Sequence, residues 1–321
     1  MGIIFKFEPH YFERVWGGQS LRKILFRKIP SKQKIGEAWD LVDREDCESL
    51  ISHPQTGSSS IRNLLESSPE KIMGPGWDKQ RRFPILVKWL DCTARLSLQV
   101  HPPASIASSL GGEPKTENWY ILSASEDAGL FLGLKNRKTK QDFMKALKNE
   151  ELELVCHRLN SLAGSSVLVE SGRVHAIDAG NLILEIQQNS DTTYRVYDWG
   201  RKDQFGKSRD LHIEESLKCI NFNDFNAHLI ESNQASVQEL ASCEHFRIRK
   251  FKIKPNRSIS LKRENEQCML LNPLGSSIKI GSTNLASGQL GLSPYSEACA
   301  ISCNEECDII VTDNFFNATT S

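Results

Sequence analysis

Four polar side chains of types that bind metal ions lie within otherwise apolar, strand-like sequence: Gln99, His101, Glu117 and His175. The run from Leu96 to His101 alternates apolar and polar residues, so a β-strand there would project Gln99 and His101 from one face. Glu117 follows Lys115 at the same two-residue spacing, and His175 follows a predicted tight turn at Ser171-Gly172. Imidazole, carboxylate and amide groups together make a nitrogen and oxygen site suited to Zn, Mn, Fe or Co. A single histidine in a strand is more often structural, and spacing alone does not decide between the two interpretations.

A second candidate group lies further along the chain, from Asp191 to Asp198. Strand alternation would place Asp191 and Arg195 on one face and Asp198 on the other. From the pattern alone, an ion pair between Arg195 and Asp191 on a solvated face is a better explanation than a catalytic arginine.

Longer blocks of sequence favour the functional interpretation. They are Glu13 to Gly18 (ERVWGG), Ile35 to Trp39 (IGEAW), Phe83 to Lys88 (FPILVK), Ser97 to Pro102 (SLQVHP), Lys115 to Tyr120 (KTENWY) and Leu184 to Asp198 (LEIQQNSDTTYRVYD). In wording and order these blocks resemble the type I mannose-6-phosphate isomerase family, also called phosphomannose isomerase, of the cupin superfamily. The resemblance covers roughly residues 5 to 220 and is only general beyond about residue 236.

The resemblance implies a metal-dependent aldose-ketose isomerase that interconverts mannose 6-phosphate and fructose 6-phosphate through an enediol-type intermediate. It implies one divalent metal, Zn²⁺ in the family, held by Gln99, His101, Glu117 and His175. It gives Arg195 a role in charge stabilisation, with Asp191 as its orienting partner or as a proton-transfer group. It assigns contacts with the substrate and its phosphate to three further residues: Ser97, Lys115 and Arg201.

The expected fold is mainly β, with two cupin jelly-roll domains and a few short helices in or beside the first. Short β-like runs broken by Gly, Pro, Asn and Ser support this class. Residues 1–235 are expected to form the catalytic domain, with helical segments near 59–73 and 139–159. The latter segment is opened by a capping box at Thr139 and includes a second short helix predicted over 151–159. Residues 236–321 are expected to form a smaller cupin-like domain without metal. Strands are predicted there over 246–253, 277–280 and 308–311.

Composition agrees with a soluble enzyme and adds little beyond that. The 40 basic residues balance 40 acidic ones, which argues against nucleic acid or a membrane as partner. The first residues lack the pattern of a signal peptide or anchor. Nine cysteines without close pairing favour a reducing cytosol, and the spacing of Cys299, Cys303 and Cys307 does not fit a zinc finger. A monomer or weak homodimer is expected.

Two other function classes stay open at this point. A cupin with two histidines and one carboxylate is compatible with a non-haem iron dioxygenase, which uses such a triad with open positions. A non-catalytic protein that binds sugar phosphates is the other alternative. Oxygen uptake would identify the first class, and bound sugar phosphate that does not turn over would identify the second.

Overall fold

The protein is mainly β, with short helices between its strands. A computed structural model describes residues 3–52, 59–202, 206–225, 227–261 and 268–315. The fold class predicted from the sequence is therefore confirmed. Among the described helices, none is long and apolar enough to cross a membrane.

The strands are β1 (Phe5–Lys6), β2 (His10–Gly18), β3 (Ile35–Leu41), β4 (Ile85–Cys92), β5 (Leu98–Val100), β6 (Glu117–Ala124), β7 (Gly129–Leu134), β8 (Cys156–Asn160), β9 (Ser166–Val169), β10 (His175–Ile177), β11 (Asn181–Gln188), β12 (Tyr194–Tyr197), β13 (Val237–Ser242), β14 (Arg247–Ile253), β15 (Ser258–Leu261), β16 (Met269–Leu274), β17 (Ile278–Ile280), β18 (Thr283–Leu285), β19 (Gly291–Ser293), β20 (Cys299–Ser302) and β21 (Cys307–Asp313). The α-helices are α1 (Ser20–Lys23), α2 (Ile61–Ser67), α3 (Pro69–Met73), α4 (Ala104–Ala107), α5 (Lys140–Lys148) and α6 (Ile213–Cys219). Short 3₁₀ turns cover Ser108–Leu110 and Leu152–Leu154.

Contacts divide the described chain into two units. One comprises 12–37 and 89–231, and the other comprises the chain before residue 12, residues 38–88 and the chain from 232 onward. Within the described residues the chain passes between the two units at four points, and the last of them, at 231/232, lies near the domain boundary predicted at 235/236. Residues 38–88 were expected in the first domain, but they group with the C-terminal part instead. Backbone hydrogen bonds connect the two segments, and one of them runs from Tyr295 N–H to the carbonyl of Ile72 (2.8 Å). The separate roles predicted for the two domains stay a prediction.

The unit that contains 89–231 carries two antiparallel sheets. One has the order β12-β5-β10-β7-β8, and the other has the order β2-β3-β4-β11-β6-β9. Apolar side chains from both sheets pack together between them, including Trp119, Ile121, Leu132, Val167 and Ile183. The opposite face of the five-stranded sheet packs against residues of α5 and α6. Two facing antiparallel sheets with this filling are typical of a jelly roll.

The other unit also has two sheets, of orders β1-β19-β16-β21-β14-β13 and β15-β20-β17-β18. The three C-terminal strands predicted from the sequence are confirmed as β14, β17 and β21. Cys299, Cys303 and Cys307 are buried in the apolar core between these sheets, where each packs as a small hydrophobic residue. All nine cysteines are free thiols.

The helices partly follow the predictions. Ser60 caps α2, with its side chain accepting from Asn63 N–H, and Thr139 forms the predicted capping box of α5. The helix predicted over 151–159 is wrong. A 3₁₀ turn is followed there by β8, whose backbone pairs with β7 along Leu159 and Arg158. The apolar spacing in this segment suits either structure, and the long-range strand pairing decides between them.

Glycine at position 17 permits an unusually close approach of β2 to β3. A Cβ atom added there would lie 2.5 Å from the backbone nitrogen of Gly36 and 2.6 Å from the carbonyl carbon of Ile35. These are backbone atoms that cannot rotate away. The glycine in the block that begins at Glu13 is therefore required by packing between two strands.

Gly17→Ala should lower the free energy of unfolding by about 1–3 kcal/mol, because the added methyl group forces the strands apart. Urea denaturation followed by circular dichroism measures this change. Val15→Ala is the control, since Val15 lies on the same strand and is 74% exposed. Equal midpoints for the two variants would mean that the close approach is not a constraint on the fold.

Candidate metal centre

Three of the four predicted ligands converge within the unit that contains 89–231. His101 directly follows β5, Glu117 begins β6 and His175 begins β10. The turn before His175 includes Gly172, which has a φ of +91° and donates its N–H to the carbonyl of His101 (2.8 Å). This bond ties the backbone of one ligand to the turn that presents the other. The sequence placed a tight turn at this point, and the glycine meets its left-handed geometry.

The donor atoms of these three side chains form a compact cluster. Nε2 of His101 lies 3.3 Å from Oε2 of Glu117, and Nε2 of His175 lies 3.5 Å from Oε1 of the same carboxylate. The ring centroids of the two histidines are 4.7 Å apart. One ligand atom from each residue lies within 4.8 Å of the others, and all three side chains are buried. This is the size of a site for a single metal ion.

Both histidine rings have a fixed orientation. Nδ1 of His101 donates to the carbonyl of Thr192 (2.8 Å), and Nδ1 of His175 donates to the carbonyl of Arg173 (2.8 Å). A carbonyl oxygen only accepts, so the ring proton must lie on Nδ1. The lone pair of each Nε2 is then directed to Glu117, as in histidines that bind a metal.

Four buried polar atoms of the cluster lack a hydrogen-bond partner within the part of the chain that the structure describes. They are Nε2 of both histidines and both carboxylate oxygens of Glu117. Burying such atoms unpaired costs free energy, so the arrangement is unfavourable by itself. A divalent cation would satisfy all of them at once. Two imidazoles and a carboxylate are donors that zinc prefers, and three protein ligands leave a coordination position open.

The electrostatics give these groups the protonation states that a metal requires. Burial, reinforced by the nearby Lys115 ammonium, lowers the pKa of His101 to about 3, and burial also lowers the pKa of His175. Burial alone would raise the pKa of Glu117, but the charge of Lys115 and the two imidazoles hold it well below its usual range. Neutral imidazoles and an ionised carboxylate are the forms that bind cations.

A second buried carboxylate lies beside the cluster. Nζ of Lys115 is 3.1 Å from Oε2 of Glu117 and 3.9 Å from Oε1 of Glu185. Glu185 also accepts from Nε1 of Trp119 (2.9 Å). Sequence reasoning did not single out Glu185. The available signal was a lone carboxylate in the otherwise uncharged strand β11, whose residues are all buried.

Gln99 lies on the expected face of the sheet. In the strand register Gln99 is opposite both His175 and Arg195, and residues paired in this way project from the same face. Ser97 is buried two residues before Gln99. The role of Gln99 as a fourth ligand and that of Ser97 as a substrate contact stay predictions.

Arg195 is half-buried, but its environment differs from the predicted one. Its Nη1 donates to the carbonyl of Asp210 (2.8 Å). Asp191 is exposed, and among the described contacts none joins it to Arg195. The nearby carboxylates whose charges act on Arg195 are those of Asp198 and Asp210. Strand β12 begins only at Tyr194, so Asp191 lies outside it and the strand alternation that predicted its pairing with Arg195 does not apply there.

Asp198 holds two further arginines. Its carboxylate accepts from Nε of Arg209 (2.7 Å) and from Nε of Arg201 (3.2 Å). Burial alone would raise the pKa of Asp198, but these two guanidinium groups lower it. Arg201 also donates to the carbonyl of Arg95 and lines a surface groove with Tyr197 and Trp199. No described contact connects Arg201 with the metal cluster, and its predicted phosphate contact stays a prediction. No sequence pattern indicated Arg209.

Comparisons with known proteins agree with this site. The catalytic-domain profile of type I phosphomannose isomerase matches residues 4–129. A probable mannose-6-phosphate isomerase, GmuF, from Bacillus subtilis is 35% identical over 256 residues, which cover 77% of this chain and 78% of that protein. The crystal structure of a mannose 6-phosphate isomerase from Bacillus subtilis matches with a TM-score of 0.84 and 26% identity, covering 97% of this chain and 99% of that one. A zinc-bound mannose 6-phosphate isomerase structure matches with a TM-score of 0.73 at 13% identity, covering 96% and 98% of the two chains, which shows the fold alone.

Replacing His101, Glu117 or His175 by Ala should abolish stoichiometric metal binding, because each change removes a direct bond to the ion. Gln99→Ala should weaken binding less, since water can replace a neutral amide oxygen. Elemental analysis of purified protein measures the metal content. Stoichiometric metal in His175→Ala would show that the ion binds elsewhere.

Proposed function

Because the chain belongs to the type I phosphomannose isomerase family, we propose that it is a metal-dependent enzyme that interconverts mannose 6-phosphate and fructose 6-phosphate. The observation that supports this most directly is the buried cluster of His101, Glu117 and His175, in which both Nε2 atoms and both carboxylate oxygens of Glu117 lack a hydrogen bond among the described residues. A structural role does not explain why these inward atoms lack hydrogen bonds, and the Lys115 ammonium offsets the charge of only one of them. A bound cation does explain it.

His101, Glu117 and His175 would hold one divalent ion, with Gln99 as a fourth ligand. Zinc fits this donor set, and a neutral amide ligand keeps the ion a stronger Lewis acid than a third imidazole would. When bound, the ion supplies positive charge that stabilises the negative oxygen of an enediol-like state. The acid-resistant neutral form of His101 keeps its Nε2 available to the ion across the physiological pH range.

Lys115 and Glu185 are two buried charged residues next to the metal ligands. The sequence suggested that Lys115 binds the phosphate. Its ammonium lies 3.1 Å from a metal ligand, however, and the reacting C1 and C2 of the sugar must also lie near the metal. Contact with substrate oxygens at the reacting end therefore suits Lys115 better. Glu185 lies within reach of Lys115 and is a candidate to hold the proton that moves between C1 and C2.

Arg195 is proposed to stabilise charge on the substrate and to orient it. Its Nε is buried and has no hydrogen-bond partner among the described atoms, so the guanidinium keeps an unused donor. Burial and the neighbouring Arg209 lower its pKa although the charges of Asp198 and Asp210 act in the opposite direction, and an anionic substrate would add a further counter-charge to this half-buried guanidinium. Asp191 is retained as a proton-transfer candidate only. Ser97 and Arg201 are retained as contacts to the phosphate.

The remaining proposals concern where and with what the enzyme works. Nine free thiols suit a reducing compartment, so the cytosol is proposed as its location. Its partner is the sugar phosphate, and a monomer or weak homodimer is proposed as its state. The catalytic role is assigned to the unit that contains 89–231, because every candidate site residue lies in it.

Purified protein should convert mannose 6-phosphate to fructose 6-phosphate in an enzyme-linked assay, and chelator should abolish the reaction. Zinc added back should restore it without oxygen consumption, since isomerisation needs no O₂. If fully metal-loaded protein leaves mannose 6-phosphate unchanged, the proposed activity is wrong although the fold is right.

Arg195→Ala should lower kcat and kcat/KM together by about a hundredfold or more, with metal content unchanged, if its guanidinium acts on charge that develops in the transition state. Arg201→Ala is the matched comparison. A phosphate contact made equally in ground and transition states chiefly affects KM. Steady-state kinetics at equal metal loading compare the two. A normal kcat with raised KM in Arg195→Ala would make Arg195 a binding residue only.

A further inference from the structure

We propose that Gln187 is a positioning residue that holds His101 in its metal-binding orientation through the loop after β11. The inference rests on the proposed metal site. Gln187 is fully buried, and its side-chain amino group donates to the carbonyl oxygens of Gln188 (2.8 Å) and Ser190 (2.6 Å). Because both partners are acceptors, the amino half of the amide must face the loop.

Ser190 is connected to the metal ligand His101 through Thr192. Thr192 N–H donates to Oγ of Ser190 (3.2 Å), and the carbonyl of Thr192 accepts from Nδ1 of His101 (2.8 Å). Glu113 N–H donates to Oγ1 of Thr192 (2.9 Å), which supports the same segment from the other side. Gln187 therefore anchors the loop whose carbonyl fixes the tautomer and angle of the His101 ring. Partners of this kind tune metal affinity without touching the metal.

The neighbouring residue uses its amide in the opposite way. Oε1 of Gln188 accepts from the backbone N–H of Thr116 (2.8 Å), and Gln188 N–H donates back to the carbonyl of Thr116 (3.0 Å). Thr116 lies between Lys115 and Glu117. Two adjacent glutamines thus hold the two ligand-bearing segments, one as a donor and the other as an acceptor.

This difference gives a matched pair of substitutions. Gln187→Glu replaces the donating amino group by an oxygen that faces two carbonyl oxygens, so both bonds are lost. Gln188→Glu keeps the oxygen that accepts from Thr116. Both variants add a carboxyl group at positions that are 0% and 4% exposed. Because Gln187 lies opposite Glu117 in the strand register, its carboxylate would also act on a metal ligand, so Gln187→Leu, which loses both bonds without adding a charge, is tested beside it and is expected to show the same weakening.

The experiment uses the full chain stripped of metal and titrated with Zn²⁺ and Co²⁺. Chelator competition gives the dissociation constant, and the visible absorption of bound Co²⁺ reports the ligand geometry. Gln187→Glu should weaken binding by about 10- to 100-fold and alter the Co²⁺ spectrum, while Gln188→Glu stays close to the unmodified protein in both. Unchanged affinity and spectrum in folded Gln187→Glu would overturn the inference. Equal losses in the two variants would also overturn it, because the added acid would then be the cause.

Ser190→Ala tests the same connection if Gln187→Glu does not fold. It removes the hydroxyl that accepts from Thr192 N–H and donates to the carbonyl of Glu113 (3.3 Å). A smaller weakening with the same spectral change is expected, and an unaltered spectrum would contradict the proposal. If the unmodified protein binds neither ion, both the proposed metal site and this inference are wrong. If the unmodified protein and the variants all bind metal equally well and isomerise the substrate, only this inference is wrong.

Discussion

The burial of polar atoms without protein partners is the constraint on which the site depends. An unpaired buried donor or acceptor costs about 1–3 kcal/mol, and the cluster of His101, Glu117 and His175 has several such atoms. The packed side chains between the two sheets keep water out and hold the ligand strands in register. Backbone carbonyls fix the two rings. The scaffold thus maintains a set of donors that is unfavourable while empty and becomes favourable when a cation binds.

Charge works in the same direction as burial. Desolvation keeps both imidazoles neutral, and the Lys115 ammonium keeps Glu117 ionised although that carboxylate is buried. Lys115 in turn lies between two carboxylates. The positive charge of Lys115 offsets part of the negative charge of Glu117 and Glu185, so the local net charge is small before a divalent ion binds and becomes positive when it does. A substrate that carries a phosphate and develops negative oxygen during reaction suits a site of that sign.

The sequence predicted much of this site because the relevant patterns are local. Two-residue alternation placed Gln99 and His101 on one face, and the turn before His175 was visible in Ser171 and Gly172. The resemblance to a known family then connected segments that lie far apart in the chain. The mainly β fold, the capping box at Thr139 and the C-terminal strands were predicted for the same reason, since each has a signal within a few residues.

What could not be predicted depends on contacts between distant segments. The segment 151–159 was expected to be helical, but part of it pairs with β7 as a strand. Residues 38–88 group with the C-terminal part through long-range hydrogen bonds, which no local sequence pattern indicates. The expected pairing of Asp191 with Arg195 assumed a strand that includes both residues, but β12 begins only at Tyr194 because its pairing with β5 begins there. Glu185 and Arg209 reach their partners across strands and loops.

The tautomers of the two histidines are set by main-chain carbonyl oxygens, those of Thr192 and Arg173. These contacts persist when the amino acids at the two positions are substituted during evolution. Any amino acid at either position supplies the same carbonyl, so substitution of Thr192 or Arg173 removes the bonds of its own side chain but neither of the two hydrogen bonds to the rings. A survey by alanine substitution would therefore overlook both contacts. Replacing a single amide by an ester in the peptide chain, which weakens the carbonyl as an acceptor, is the kind of change that would reveal them.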